Sequence, residues 1–182
     1  MKLVVTVGMP GSGKDELVKV GQELGLSVIK MGDLVRDETR RRGMALNGPN
    51  IARVANEERE RHGPSVWAKR AIPLIGETKV LVDGCRGDQE VNVFRHNFGD
   101  LTVVGIYASP ETRFERLSRR GRGDDGMNLE DFSERDRREL KWGIGNAFVL
   151  ADRMLINEGP LEEFRRQARD LLKAILAREE ED

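Results

Sequence analysis

The chemistry of this chain begins at Gly8-Met9-Pro10-Gly11-Ser12-Gly13-Lys14, which fits the pattern G-x-x-x-x-G-K. Glycines at Gly8, Gly11 and Gly13 let the backbone fold back so that successive N–H groups converge on one anion. Lys14 adds a movable cation suited to the β- and γ-phosphates of a nucleoside triphosphate. In the usual form of this motif the next residue is Ser or Thr, whose hydroxyl goes to Mg²⁺; here it is Asp15. A carboxylate there ligates Mg²⁺ directly or through water, or it simply complements the positive end of a helix while the metal is held elsewhere. Both readings stand at the level of sequence.

Asp83 closes the apolar run Val80-Leu81-Val82 and precedes Gly84. It either holds Mg²⁺ opposite the phosphate loop or belongs to an Asp-Gly turn. Between Arg113 and Arg138 the chain is rich in arginine. The planar fork of arginine bridges two phosphate oxygens at once, so this region suggests a lid closing on phosphates. Arg119, Arg120, Arg122 and Arg135 are its best members. For any single arginine, interleaved Glu111, Glu115, Glu130, Glu134 and Asp136 fit a salt-bridged surface equally well; for the group the lid is favoured.

These groups need elements to position them. Lys2–Val7 reads as a buried strand and Asp15–Leu24 as a helix, so the glycine-rich run lies between strand and helix and gains the helix N-terminus as an anion site. Further strands are expected at Ser27–Lys30, Lys79–Asp83, Leu101–Ala108 and Arg153–Asn157. Helices are expected from an Asp33 N-cap to Arg42, over Ile51–His62, from Pro64 with a break at Pro73, and over Asp88–Phe98. Others are expected from Pro110 behind a Ser109 cap, over Leu129–Trp142 continuing toward Leu150, and from Pro160 onward. Residues 43–50 and 121–127 read as loops, and 179–182 as a frayed acidic tail. Near-continuous apolar strands alternating with helices imply an α/β fold: five parallel strands with helices on both faces. Ligands then sit beyond the carboxyl ends of the strands, where Lys14, Asp33, Arg36, Asp83, Arg86, Asn157 and Gly159 all fall.

The chain has 182 residues, 35% of them charged, and a net charge of −1. That length suits one domain. Interspersed charge of both signs argues against nucleic acid as a partner. An apolar run of about 18 residues, the minimum for a membrane span, is absent from the sequence. The first residues enter a strand at once, leaving no room for a signal peptide, and the single Cys85 fits a reducing cytoplasm. His62 and His96 lack ligand-like companions, which argues against zinc.

The assembled motifs resemble the P-loop nucleoside monophosphate kinases, adenylate kinases above all, and also dephospho-CoA kinases. The chain is similar over nearly its whole length to an archaeal adenylate-kinase-related group, UPF0200. The likeness runs through Val7–Lys14, Met31-Gly32-Asp33-Leu34-Val35-Arg36, Val82-Asp83-Gly84-Cys85-Arg86, Ala108–Leu117, Gly121–Asp125 and Ile156-Asn157-Glu158-Gly159. The resemblance implies that Arg36 grips the phosphate of an acceptor. Arg86, one place earlier than the corresponding arginine of adenylate kinases, would do the same, and Gln89 would read the acceptor base. It also implies that Asn157 and Gly159 lie in a loop over the donor adenine. Residues 32–76 would form an acceptor flap and 119–142 a lid, on a core of 1–31, 77–118 and 143–182.

The expected activity is transfer of the γ-phosphoryl of ATP to an AMP-like small-molecule nucleotide. Gly8 through Asp15 and Arg119 would hold the donor, Asp83 and Asp15 the Mg²⁺, and Arg122 and Arg135 the transferred charge. Asp33 is the base if the acceptor is a hydroxyl, as in dephospho-CoA. A nucleotide-binding regulatory protein with slow hydrolysis shares the same motif. The choice of donor base and the state, monomer or homodimer, stay open.

Overall fold

The computed structural model describes residues 1–76, 79–119 and 128–177. Strands β1 (Leu3–Val7), β2 (Ser27–Lys30), β3 (Val80–Cys85), β4 (Leu101–Tyr107) and β5 (Arg153–Ile156) form one sheet in the order β2-β3-β1-β4-β5. Every pairing is parallel. The helices are α1 (Lys14–Glu23), α2 (Met31–Arg41), α3 (Gly48–His62), α4 (Val66–Ala71), α5 (Asp88–Asn97), α6 (Pro110–Arg119), α7 (Leu129–Lys141), α8 (Ile144–Val149) and α9 (Leu161–Ala177).

Helices cover both faces, which is why β1 is apolar at successive positions rather than alternate ones. Leu3, Val5, Val7 and Val82 face a core with Trp67, Phe94 and Ile144. Val4, Leu81, Val104 and Ile106 face a second core with Leu17, Phe164 and Leu172. All these side chains are at most 2% exposed. The architecture is the α/β sheet that the alternation of strands and helices predicts.

Local boundaries differ where turn chemistry misleads. α2 starts at Met31 with Lys30 as its N-cap, so Asp33 lies inside the first turn and is not the cap. There its charge complements the helix dipole instead. α3 starts at Gly48, three residues ahead of the expected Ile51. The Asn47 side chain caps it, accepting from the Asn50 N–H at 2.9 Å, and Pro49 is harmless in a first turn. α4 begins at Val66 rather than Pro64, and the expected break at Pro73 is a single 3₁₀ turn over Ile72–Leu74.

The most consequential difference is at β3, which runs on through Cys85. Its register against β1 shifts between Val5↔Val82 and Val7↔Cys85, so Asp83 and Gly84 together oppose Thr6. Asp-Gly here is a bulge inside a strand, with Gly84 at φ +96°, not the turn that ends one. The loop expected at 121–127, with Arg122, and also Arg120 and the acidic tail at 179–182, lie outside the described residues.

Candidate functional site

The phosphate loop is built so tightly that each of its three glycines is obligatory. A Cβ on Gly8 would lie 2.6 Å from Ser12 Oγ and 2.9 Å from the Ile106 carbonyl oxygen. On Gly11, at φ +82°, it would meet the Arg113 carbonyl oxygen at 2.9 Å. On Gly13, at φ +107°, it would meet Asn157 Nδ2 at 2.1 Å. Lys14 folds back over the loop, and its Nζ donates to the Gly8 carbonyl at 2.6 Å and the Met9 carbonyl at 3.1 Å. Burial lowers its pKa to about 8, against the opposing pull of Asp83 and Asp15. A buried ammonium on weak neutral acceptors, above a cradle closed to any Cβ, fits a polyphosphate. Ser12 Oγ, also buried, has no hydrogen-bond partner among the described residues.

Asp83 of β3 interacts favourably with the charge of Lys14. The bulge turns its carboxylate to accept from the Thr6 hydroxyl at 2.6 Å, and Thr6 Oγ1 in turn accepts from the Gly84 N–H at 3.3 Å. Asp15 is exposed in the first turn of α1. These hard oxygen donors suit Mg²⁺. Asp83 is the better placed, since it is fixed by Thr6 and leads the favourable charge interactions of Lys14.

A second cluster lies close by. Arg86, just after β3, pairs with Glu139 of α7, and its backbone N–H donates to Glu90 Oε2 at 2.7 Å. Arg59 of α3 reaches Glu90 Oε1 at 3.4 Å. Both guanidinium groups lie over the Trp142 ring, at 4.5 Å for Arg59 and 5.4 Å for Arg86, and Arg138 lies 5.9 Å from it. The Trp142 indole N–H donates to Asn56 Oδ1 at 2.7 Å. Desolvation, followed by repulsion from Arg135 and Arg59, lowers the Arg86 pKa to about 10. Burial raises the carboxyl of Glu90 above its ordinary value. Arg138 Nε and Glu139 Oε2 are buried without a hydrogen-bond partner among the described residues. Cations crowded against too little negative charge would suit an anion. It is joined to the phosphate loop, since Arg86 and Arg135 both depress Lys14.

The loop is clamped from behind. Asn157 Nδ2 donates to the Ser12 carbonyl at 2.9 Å, and Arg116 Nη2 donates to the Asn157 carbonyl at 2.9 Å and to its Oδ1 at 3.2 Å. Glu158 accepts from the Ser109 N–H and from Thr112 Oγ1, which fastens the end of β5 to the start of α6.

Comparison with known proteins bears on this geometry. A family model described as an AAA domain matches residues 7–133. The UPF0200 protein of Thermococcus onnurineus is 41% identical over 182 residues, covering 96% of this chain and 98% of its own. That of Hyperthermus butylicus is 45% identical over 176 residues, covering 95% and 94%. The chain belongs to the archaeal UPF0200 family and carries an AAA domain. Among solved structures, a shikimate kinase from Acinetobacter baumannii in complex with shikimate is similar at TM-score 0.65 and 18% identity, over 97% of this chain and 94% of that one. A gluconokinase from Sinorhizobium meliloti is similar at TM-score 0.62 and 17% identity, over 96% and 93%. The chain thus shares the fold of these two solved structures. No described helix is long and apolar enough to cross a membrane.

The residues singled out in this UPF0200 chain are only partly brought together. Gly8 through Lys14, Asp83, Arg86 and Arg135 share one electrostatic neighbourhood. Asp33 and Arg36 pair with each other at 2.8 Å on an exposed stretch of α2. Gln89 is exposed on α5. Arg119 is exposed and pairs with Glu115 at 3.1 Å. The Asn157 side chain grips the loop itself, while Gly159 is exposed beside Glu163. Arg138 is a member of the arginine-rich stretch, whereas nothing in the sequence singles out Arg59 or Trp142 by itself. The stretch Arg135–Trp142 does repeat Arg, Arg and Trp at helical spacing, which is the one sequence signal that points toward Trp142.

Proposed function

We propose that this chain is an ATP-dependent small-molecule kinase that phosphorylates an anionic, AMP-like acceptor. The observation that carries the proposal is the adjacency of two charged clusters at the end of β3. Asp83, fixed by Thr6 of β1, belongs to the phosphate-loop side, and Arg86, paired with Glu139, follows three residues later in the arginine cluster. In the reaction an acceptor oxygen attacks the γ-phosphorus, the bond to the β–γ bridging oxygen breaks, and the nucleoside diphosphate departs with that electron pair.

The loop amides and Lys14 hold the donor phosphates, Lys14 exchanging its bonds to Gly8 and Met9 for phosphate oxygens. Asp83, with Asp15 in a lesser part, would hold Mg²⁺, which supplies charge neutralisation on the β- and γ-oxygens. Arg59, Arg86 and Arg138 hold the acceptor anion, joined by Arg36 once it leaves Asp33. Arg135, between the two sites, faces the charge that spreads over the transferred group. A phosphate acceptor is already an anion and needs no base; for a hydroxyl acceptor Asp33 takes the proton. Residues 32–76 act as the acceptor flap and 119–142, which include Arg119 and Arg122, as the lid; Gln89 and Gly159 contact the bases, while Asn157 holds the loop that carries the donor phosphates.

A second reading is a nucleotide-binding regulatory protein that hydrolyses slowly, favoured by the exposed Asp15 where a metal-binding hydroxyl is usual. A transfer screen tests both. ATP and GTP are offered with nucleoside monophosphates, dephospho-CoA, shikimate and gluconate, and phosphorylated product is measured separately from free phosphate. Product from AMP supports the proposal, product from another acceptor redirects it, and release of free phosphate alone favours the regulatory reading.

A further inference from the structure

Arg113 is an arginine only 4% exposed, and neither anion site uses it directly. Its guanidinium reaches three elements. Nη1 donates to the Pro10 carbonyl of the phosphate loop at 3.3 Å, and Nε to the Ala108 carbonyl after β4 at 3.3 Å. Nη1 and Nη2 together grip both carboxylate oxygens of Asp136 on α7, at 2.8 and 2.5 Å. The group also lies 5.0 Å from the ring centre of Phe132, one turn earlier on α7. Its own backbone is pressed against the loop at Gly11. α7 is thus pinned by carboxylates three residues apart: Asp136 to the arginine behind the donor loop, and Glu139 to Arg86 beside the acceptor site. Arg135 and Arg138 are carried between and beside these pins.

A buried ion pair is a poor source of stability, because desolvation offsets the attraction. What a bidentate fork supplies is orientation, since two parallel bonds fix both position and angle. We infer that Arg113 and Asp136 are positioning residues, which transmit the state of the phosphate loop to α7 and so aim Arg135 and Arg138. The inference rests on the kinase reading for what those arginines do. Filling the loop draws its backbone N–H groups toward the anion; the Pro10 carbonyl moves with them, Arg113 follows, and Asp136 turns α7.

Trp142, at the end of α7, reports the motion. The chain has two tryptophans, so 5-fluorotryptophan labelling yields two ¹⁹F signals, with Trp67 in the core as internal reference. In the wild type, Mg²⁺ with a non-hydrolysable ATP analogue should shift the Trp142 signal and leave Trp67 in place. Asp136→Asn should bind that analogue within about threefold of wild type by calorimetry, yet lose the Trp142 response. Where an acceptor is in hand, kcat should fall on the order of 10- to 100-fold with donor KM little changed. Arg113→Lys, which keeps charge but not the fork, should not restore the response. Should either variant fold poorly, the apolar pair Arg113→Met with Asp136→Leu preserves packing and should show the same loss. A Trp142 response as large as wild type in any of these variants overturns the inference. If the wild type binds no nucleotide, the donor reading falls by itself. The coupling is then read from amide exchange in the free protein: Asp136→Asn should speed exchange at Gly11–Gly13 as well as along α7. Change confined to α7 overturns it.

Discussion

Gly13→Ala is the sharpest perturbation of the donor site, because two separate penalties meet at one atom. At φ +107° an L-residue is strained by roughly 1–2 kcal/mol. Gly25 supplies the control: it has φ +82° and nothing within 4 Å of an added Cβ, so Gly25→Ala isolates the backbone strain. At Gly13 the new Cβ would also lie 2.1 Å from Asn157 Nδ2. Asn157 must retreat, breaking its 2.9 Å bond to the buried Ser12 carbonyl. An abandoned buried acceptor costs about 1–3 kcal/mol more. For a chain of this size each kcal/mol lowers the thermal midpoint by about 2–4 °C. Gly13→Ala should therefore lower the midpoint about twice as far as Gly25→Ala, and it alone should weaken nucleotide binding. Asn157→Ala removes the obstacle, so the Gly13→Ala, Asn157→Ala double variant should be less unstable than the sum of the singles by about 1–2 kcal/mol. Thermal melts and calorimetric titrations of the four variants decide it. Equal losses at Gly13 and Gly25, with additive singles, would refute the clamp.

Lys14 should take up a proton when nucleotide binds. Its pKa in the free protein is about 8, lowered from 10.5 by burial, and a bound phosphate raises it again. Between these values the unfolded chain binds more protons, so the burden that Lys14 places on stability is full below pH 8 and eases as pH rises toward 10.5. Titrations near pH 8.5 in buffers of different ionisation enthalpy should reveal uptake in the wild type and none in Lys14→Met. Arg59→Ala and Arg86→Ala should each weaken AMP binding by about 10- to 150-fold, the equivalent of roughly 1.5–3 kcal/mol for a charged contact, with donor affinity unchanged. Intact AMP binding in both variants would remove the arginine cluster from the acceptor site.

What was legible in the sequence was local. The phosphate loop declares itself through seven consecutive residues between a strand and a helix, and the apolar runs of the strands mark a sheet covered on both faces. Asp83 stands out in the sequence as a candidate, but the bulge that aims it does not, because it depends on Thr6, 77 positions away. Arg59 belongs beside Arg86 only because Glu90 and Trp142 gather both. Arg113 and Asp136 read from the sequence as part of a lid or of a salt-bridged surface; they form a pair at the seam of α6 and α7, with Arg113 buried and Asp136 half-buried. Interleaved Arg and Glu on charged helices carry no mark of which pairs are buried. Asn157 was read as a contact to nucleotide, whereas its side chain is spent on the loop backbone.

That clamp has a temporal side. Ser12 and Asn157 are 145 positions apart in a chain made from its N-terminus. The loop and its lysine are made well before the side chain that holds the loop in shape. Strand β1, at the centre of the sheet, must likewise wait for β3 and β4 before it has a neighbour on either side. A growing chain therefore displays the glycine-rich motif long before that motif is held in shape. The clamp is made only once β5 has paired with β4 and set Asn157 behind the loop, so an intact loop reports that the far edge of the sheet is in place.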